Sequence, residues 1–172
     1  MTKLPDPVDP KKFDGENKFS LANSSIDSSN LKDYLNRDDV FYIDVRDFEE
    51  YSKNHLRNFE LVPFFSMIWD KDAGKDLQRL YKGPVEEPKP LYEKSDEILE
   101  ELFPKNKNIF LICQSGGRVA MLMNILEARG WDMSYIYNIG GMAQYGGEEY
   151  DNLRVENPYI RAKSSFDFEG IK

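Results

Sequence analysis

One short run carries more chemistry than any other part of the chain: Cys113-Gln114-Ser115-Gly116-Gly117-Arg118. Cys113 is the only cysteine, and a cysteine thiolate is a nucleophile. Two glycines let the backbone curl so that several N–H groups point inward, as in an anion-binding nest. Arg118 to Arg129 is apolar-rich and stopped by Gly130, the pattern of a helix. A helix begins with unpaired N–H groups and partial positive charge. Together with Arg118, these features favour a thiolate or an anion attached to its sulfur. The plainer reading is a small buried hydrophobe. The Ser-Gly-Gly-Arg that follows argues against it, because a simple strand–helix turn needs neither two glycines nor an arginine.

Such a loop has to be held by a strand before it and a helix after it. Asn108-Ile109-Phe110-Leu111-Ile112-Cys113 is a continuous apolar run, the mark of a strand buried on both faces. Val40 to Val45 is a second such run, and Tyr135-Ile136-Tyr137 a third, shorter one. Phe59 to Val62 reads as a short strand stopped by Pro63. Ser28 or Ser29 is placed to cap a helix carrying Leu31, Tyr34 and Leu35. Asp47 is placed to cap another, with Phe48, Tyr51 and Ser52 on one side. Further helices are predicted over Phe64–Trp69, Lys75–Lys82, Glu93–Phe103 and Met142–Tyr145, the last entered by a turn at Gly140-Gly141. Strands alternating with helices predict an α/β fold, with a central, mostly parallel sheet flanked by helices. Thiols at the carboxyl ends of such strands lie where open α/β sheets bind ligands.

Composition narrows the function. In 172 residues, 23 Lys+Arg against 31 Asp+Glu leave a net charge of −8. An acidic chain of this kind is a poor partner for nucleic acid or anionic lipid. One Cys and one His exclude a structural zinc site and an intramolecular disulfide. No apolar run approaches the length of a membrane span. Met1 to Lys18 has no apolar signal stretch; it alternates Pro5, Pro7 and Pro10 with charges and reads as an extended, solvated tail. That points to the cytoplasm, unless Met1 stands in place of a removed signal, when the tail would be the spacer of an exported or membrane-tethered protein. The expected organisation is a tail over 1–18, one domain over 19–160 with an enlarged helical stretch at 63–107, and a C-terminal tail over 161–172.

Three segments, in order, resemble the rhodanese-like (sulfurtransferase) family. They are Tyr42-Ile43-Asp44-Val45-Arg46-Asp47-Phe48-Glu49-Glu50-Tyr51 with His55 after it, the loop Cys113 to Arg118, and Ile139-Gly140-Gly141-Met142-Ala143-Gln144-Tyr145. The resemblance covers about residues 19 to 155. It implies a rhodanese-like three-layer fold and a persulfide mechanism. Cys113 would take the outer sulfur of a small donor, such as thiosulfate or a persulfide, and pass it to a thiol or protein acceptor. Amides of Gln114, Ser115, Gly116, Gly117 and Arg118 would cradle the sulfur, and Arg118 would bind an anionic donor or tighten the loop. No cofactor or metal is implied. Asp44, at a strand end within reach of the loop, and Arg46, paired with Glu49 or Glu50, are expected to support the site. His55 is expected to make a fold-supporting hydrogen bond rather than act as a base.

The chain departs from the family pattern at several places. Val119 stands where many members carry Ser or Thr after the arginine. Gln114 is neutral where some thiosulfate users are basic. Asn54-His55-Leu56-Arg57-Asn58 replaces the usual Gly-His-Ile-Pro-Gly. Pro63 to Pro104 is longer than in minimal members, and its Phe64, Phe65, Met67, Ile68 and Trp69 either line a pocket or pack on the core. Other readings are a non-catalytic persulfide carrier or sensor, an interaction module with an inert cysteine, and a cysteine phosphatase or arsenate reductase. The last is disfavoured because cysteine phosphatases place their arginine one position later than Arg118.

Overall fold

The continuous apolar runs become the middle of one sheet. The computed structural model describes residues 2–13, 17–72, 79–156, 161–162 and 168–169. In chain order it contains β1 (Val40–Asp44), α1 (Phe48–Lys53), β2 (Asn54–Leu56), β3 (Glu60–Leu61), α2 (Phe64–Met67), β4 (Trp69–Asp70), β5 (Tyr81–Lys82), β6 (Lys89–Pro90), α3 (Ser95–Leu102), β7 (Asn108–Cys113), α4 (Gly117–Ala128), β8 (Ile136–Gly141) and β9 (Arg154–Glu156). The central four-stranded sheet has the order β3-β1-β7-β8, and each pairing is parallel. This is the predicted α/β architecture.

The lack of polar alternation in β7 has a direct cause. Ile109, Leu111 and Cys113 point into one core, with Val119, Leu122, Ile125 and Leu126 of α4 and Leu99 of α3. Phe110 and Ile112 point into the other, with Leu31, Leu56, Phe59, Tyr145 and Tyr150. Both faces are covered, so both sets of side chains are apolar. Val119 lies in the first core, fully buried. A hydroxyl at that position would need its own partner there.

The enlarged stretch packs on the core rather than standing off it. Phe64, Ile68 and Trp69 are buried in the first core and Phe65 packs against it, whereas Met67 is exposed. The Tyr81 hydroxyl donates to Asp96 at 2.5 Å. Arg129 on the main domain grips the same carboxylate at 3.0 and 2.6 Å.

Several predicted elements differ in detail. Leu31–Tyr34 is a single 3₁₀ turn with Asn30, not a serine, at its N-cap position; the Asn30 side chain instead ties Asp27 N and Ser25 O. The predicted helix over 75–82 lies outside the described residues at 75–78, and Tyr81–Lys82 form strand β5. The third strand starts at Ile136 and runs on to Gly141, because Asn138 finds buried partners and Gly141, beyond a register shift, still pairs with Cys113 of β7. Residues 2–13 are mostly extended, but they lie on the domain. Val8 bridges Ser24, and the Tyr137 hydroxyl donates to Pro5 O at 2.6 Å. A part-buried phenol needs an acceptor, and the N-terminal backbone supplies it. The predicted C-terminal tail falls largely outside the described residues; within it, residues 161–162 pair with 168–169. Among the described residues, no helix is long and apolar enough to cross a membrane.

Candidate functional site

Chain order and sheet order together locate a crevice. From β1 the chain goes to β3 on one side, and later to β7 on the other side of β1. Connections therefore leave β1 and β7 in opposite directions, and ligands of open α/β sheets bind beyond the carboxyl ends at such a switch point. Asp44 ends β1 and Cys113 ends β7. Gly141 ends β8 and is paired with Cys113.

The loop after β7 bends at Gly116, whose φ of +99° is costly for any residue with a side chain. A Cβ there would also meet Leu21 at 3.2 Å. The bend aims the Gly116 N–H at the Cys113 Sγ, 3.0 Å away. The amides of Gly117 and Arg118 begin α4 and have no partner within it. Gly117 itself is free of both constraints: no atom lies within 4 Å of where its Cβ would be. Of the two loop glycines, the bend demands the first. Cys113 is only 1% exposed, while Gln114, Ser115 and Gly117 are exposed.

Two arginines reach this loop, and each already holds a carboxylate. Arg46 does not pair with Glu49 or Glu50. It turns back on Asp44, with Nη2 2.9 Å from Oδ2 and Nε 3.0 Å from Oδ1. The two side chains are 1% and 0% exposed. An isolated buried charge is costly, so each is satisfied by the nearest opposite charge. Arg46 also donates to Asn54 O at 2.6 Å and to Gln114 Oε1 at 3.4 Å. The pair thus touches the loop through the Gln114 side chain.

Glu50 is left to Arg118, which binds it through both ends of the fork at 2.8 and 2.7 Å. This bidentate pairing holds the Glu50 carboxyl below its ordinary value of 4.5, against the opposing effect of burial, and raises Arg118. Because the folded value is depressed, the pair's stabilisation is complete above the ordinary value and is lost as pH falls through the folded one. Both groups are about one-third exposed, so the contribution is about 0.5–1 kcal/mol. Wild type will therefore exceed Glu50→Gln in stability by that amount at neutral pH. Denaturant titrations well below pH 4.5 will show no such difference.

His55 makes the fold-supporting contact expected of it: Nδ1 lies 2.9 Å from Tyr51 O, and its ring stacks on Tyr51 at 3.8 Å. The turn after it closes with Asn58 at φ +69° in place of a glycine.

Asn138 and Gly141 are residues that sequence reasoning passed over or misread. Asn138 is 2% exposed in the middle of β8. Its Nδ2 donates to Gly116 O at 3.0 Å and to Phe19 O at 2.9 Å, and its Oδ1 accepts from Gly140 N at 3.0 Å. One amide thereby joins the bend of the Cys113 loop, the end of β8 and the N-terminal segment. A lone Asn inside an apolar strand was the available signal. Gly141 is more than a turn residue. A Cβ on it would lie 1.9 Å from the Gln114 carbonyl carbon, so the loop can rest on β8 only where no side chain stands.

A parallel sheet with a cysteine loop at its switch point defines a class of α/β domain. The family follows from comparison: the chain matches the family model described as Rhodanese-like domain over residues 27–148 and belongs to that family. Among solved structures, it is similar to a rhodanese-like domain protein from Staphylococcus aureus. That match has 25% identity, covers 72% of this chain and 91% of the other, and has a TM-score of 0.43. A Helicobacter pylori protein solved by NMR matches at 24% identity, over 74% of this chain and 93% of its own, with a TM-score of 0.41. No curated protein matches the chain. Among the described residues, no group of three or more His, Cys, Asp or Glu side chains is placed to hold a metal.

Proposed function

We propose that the domain moves a sulfane sulfur from a donor to a thiophilic acceptor through a persulfide on Cys113. The observation that carries this reading is the Gly116 N–H held 3.0 Å from Sγ at the head of α4. A backbone donor and a helix N-terminus at one sulfur stabilise negative charge there without a metal. In the first half-reaction the Cys113 thiolate attacks the donor's outer sulfur; the donor's S–S bond breaks and its remainder leaves with the electron pair. In the second, an acceptor nucleophile attacks the outer sulfur of the persulfide and restores the thiolate. A small thiol or a protein thiol is the acceptor proposed.

The test is intact mass after incubation with excess donor, followed by cyanide. Wild type is expected to gain one sulfur atom and lose it to cyanide as thiocyanate; Cys113→Ser gains none. A chain that gains no sulfur from thiosulfate, mercaptopyruvate or a persulfide overturns the reading. One observation favours a second reading. A thiol only 1% exposed suits a carrier that holds its sulfur for one partner. Stable loading with very slow turnover would select it over the enzyme.

A further inference from the structure

We propose that Leu21 is a positioning residue for Cys113: its side chain covers Gly116 and Gly140 together and holds the Gly116 N–H on the sulfur. The sulfur's backbone donor then depends on a segment that lies ahead of residues 27–148, the span matched by the family. The kinetic part of this inference rests on the sulfur-transfer reading above; the structural part does not.

Gly116 and Gly140 face each other, since a Cβ on Gly116 would lie 3.5 Å from Gly140 Cα. Two bare backbones leave a gap, and protein interiors hold few gaps. Leu21 fills this one. The Cβ position of Gly116 lies 3.2 Å from Leu21 Cβ, and that of Gly140 lies 3.1 and 3.3 Å from the two Leu21 methyl carbons. Leu21 is half-buried, yet among the described residues it packs with neither hydrophobic core. Its apolar surface is laid against the two glycines instead. The segment carrying it is tied to Asn138 on both sides. Phe19 is buried in the first core, and its carbonyl accepts from Asn138 Nδ2 at 2.9 Å. Ser24 Oγ donates to Asn138 O at 2.5 Å. Between them Leu21–Asn23 forms a 3₁₀ turn. A second stretch braces that turn: Asp9 N donates to Asn23 O at 2.8 Å, and Ser25 N to Pro7 O at 3.0 Å. Gly116 is thus gripped twice, by Asn138 Nδ2 at its carbonyl, 3.0 Å away, and by Leu21 beside its α-carbon. The two grips do different things. The carbonyl belongs to the peptide after Gly116, whereas the N–H that meets Sγ at 3.0 Å belongs to the peptide before it. A glycine turns easily about the bonds between them, so holding the carbonyl does not by itself fix the N–H. Leu21 restricts that turning.

The experiment follows amide hydrogen exchange of the full chain, residue by residue, by NMR. It also measures the rate of Cys113 loading by intact mass, with thiosulfate and with cysteine persulfide, for wild type, Leu21→Ala and Leu21→Met. Leu21→Ala is expected to speed exchange at Gly116 about tenfold, while amides of β1 and β7 change by less than about twofold. Its maximal loading rate falls about fivefold or more with either donor, because the sulfur loses its backbone donor for part of the time, and the half-saturating concentration holds within about twofold. Leu21→Met refills the same volume and restores both. Leu153→Ala is the control: it trims a half-buried leucine on the second core and leaves Gly116 exchange and loading as in wild type. Should Leu21→Ala fail to fold, Leu21→Val gives the same comparison in smaller degree. Unchanged Gly116 exchange in Leu21→Ala, or a rise spread evenly over the sheet, overturns the positioning role. Faster Gly116 exchange with undiminished loading overturns its kinetic part. A wild type that loads from neither donor counts against the sulfur-transfer reading, and the exchange comparison still decides the place of Leu21.

Discussion

Gly141→Ala will lose about 3 kcal/mol or more of stability and will load sulfur on Cys113 poorly even where it remains folded. The cause is contact with backbone, not conformation. Gly141 has φ −150° and ψ 173°, which alanine adopts freely. The added Cβ would lie 1.9 Å from the Gln114 carbonyl carbon, 2.2 Å from its oxygen and 2.2 Å from Ser115 N. The loop cannot simply retreat, because Gln114 O accepts from Ala143 N at 2.9 Å and the strand behind it is paired on both sides. Relief must come by moving Gln114 and Ser115, which follow the thiol directly. Gly117→Ala is the control. That position has open space and lies at the first residue of α4, so the same added methyl is expected to stabilise by about 0.4–1 kcal/mol. Denaturant unfolding of both variants checks the contrast; equal stability in Gly141→Ala and wild type would refute the close approach.

Arg46→Leu is the second large effect, a loss of about 3–5 kcal/mol. Asp44 is fully buried. Without the guanidinium its carboxylate keeps the Arg46 backbone N–H at 3.0 Å and loses its counter-charge. Asn54 O and Gln114 Oε1 lose their donor as well. The cost is mainly that of the orphaned charge, which makes a further expectation possible. Asp44→Leu combined with Arg46→Leu should be more stable than Arg46→Leu alone, because no ion then remains buried. A double variant less stable than the single one would show that the pair's hydrogen bonds, rather than its charges, govern the site.

The parts of the fold that depend on burial alone were legible in the sequence. Val40–Ile43 and Ile109–Cys113 are short continuous apolar runs, the pattern of strands covered on both faces, and only Phe41 in β1 departs from it by standing exposed. The Cys113 loop was legible for a similar reason, since its residue types are wasted in an ordinary turn. Partner choice among charges was not legible. Arg46 lies close in sequence to Asp44, Glu49 and Glu50, and only the tertiary position of α4, which brings Arg118 to Glu50, decides which carboxylate it keeps. Gly140-Gly141 read as a turn because close approach of a distant backbone leaves no mark in local sequence. The N-terminal segment read as a free tail because its few anchors, Pro5 O and Val8, bind through backbone and carry no side-chain signature.

The Asn138 amide has a consequence for how the protein comes into being. It joins Phe19 O, 119 positions away, to Gly116 O, 22 positions away. A chain synthesised from its N-terminus exposes Phe19 and then Cys113 well before Asn138 leaves the ribosome. Until β8 arrives, the bend at Gly116 lacks the amide that fixes it and the glycine shelf on which it rests. The nascent cysteine therefore stands without its cradle and gains it only at the close of a strongly non-local folding step.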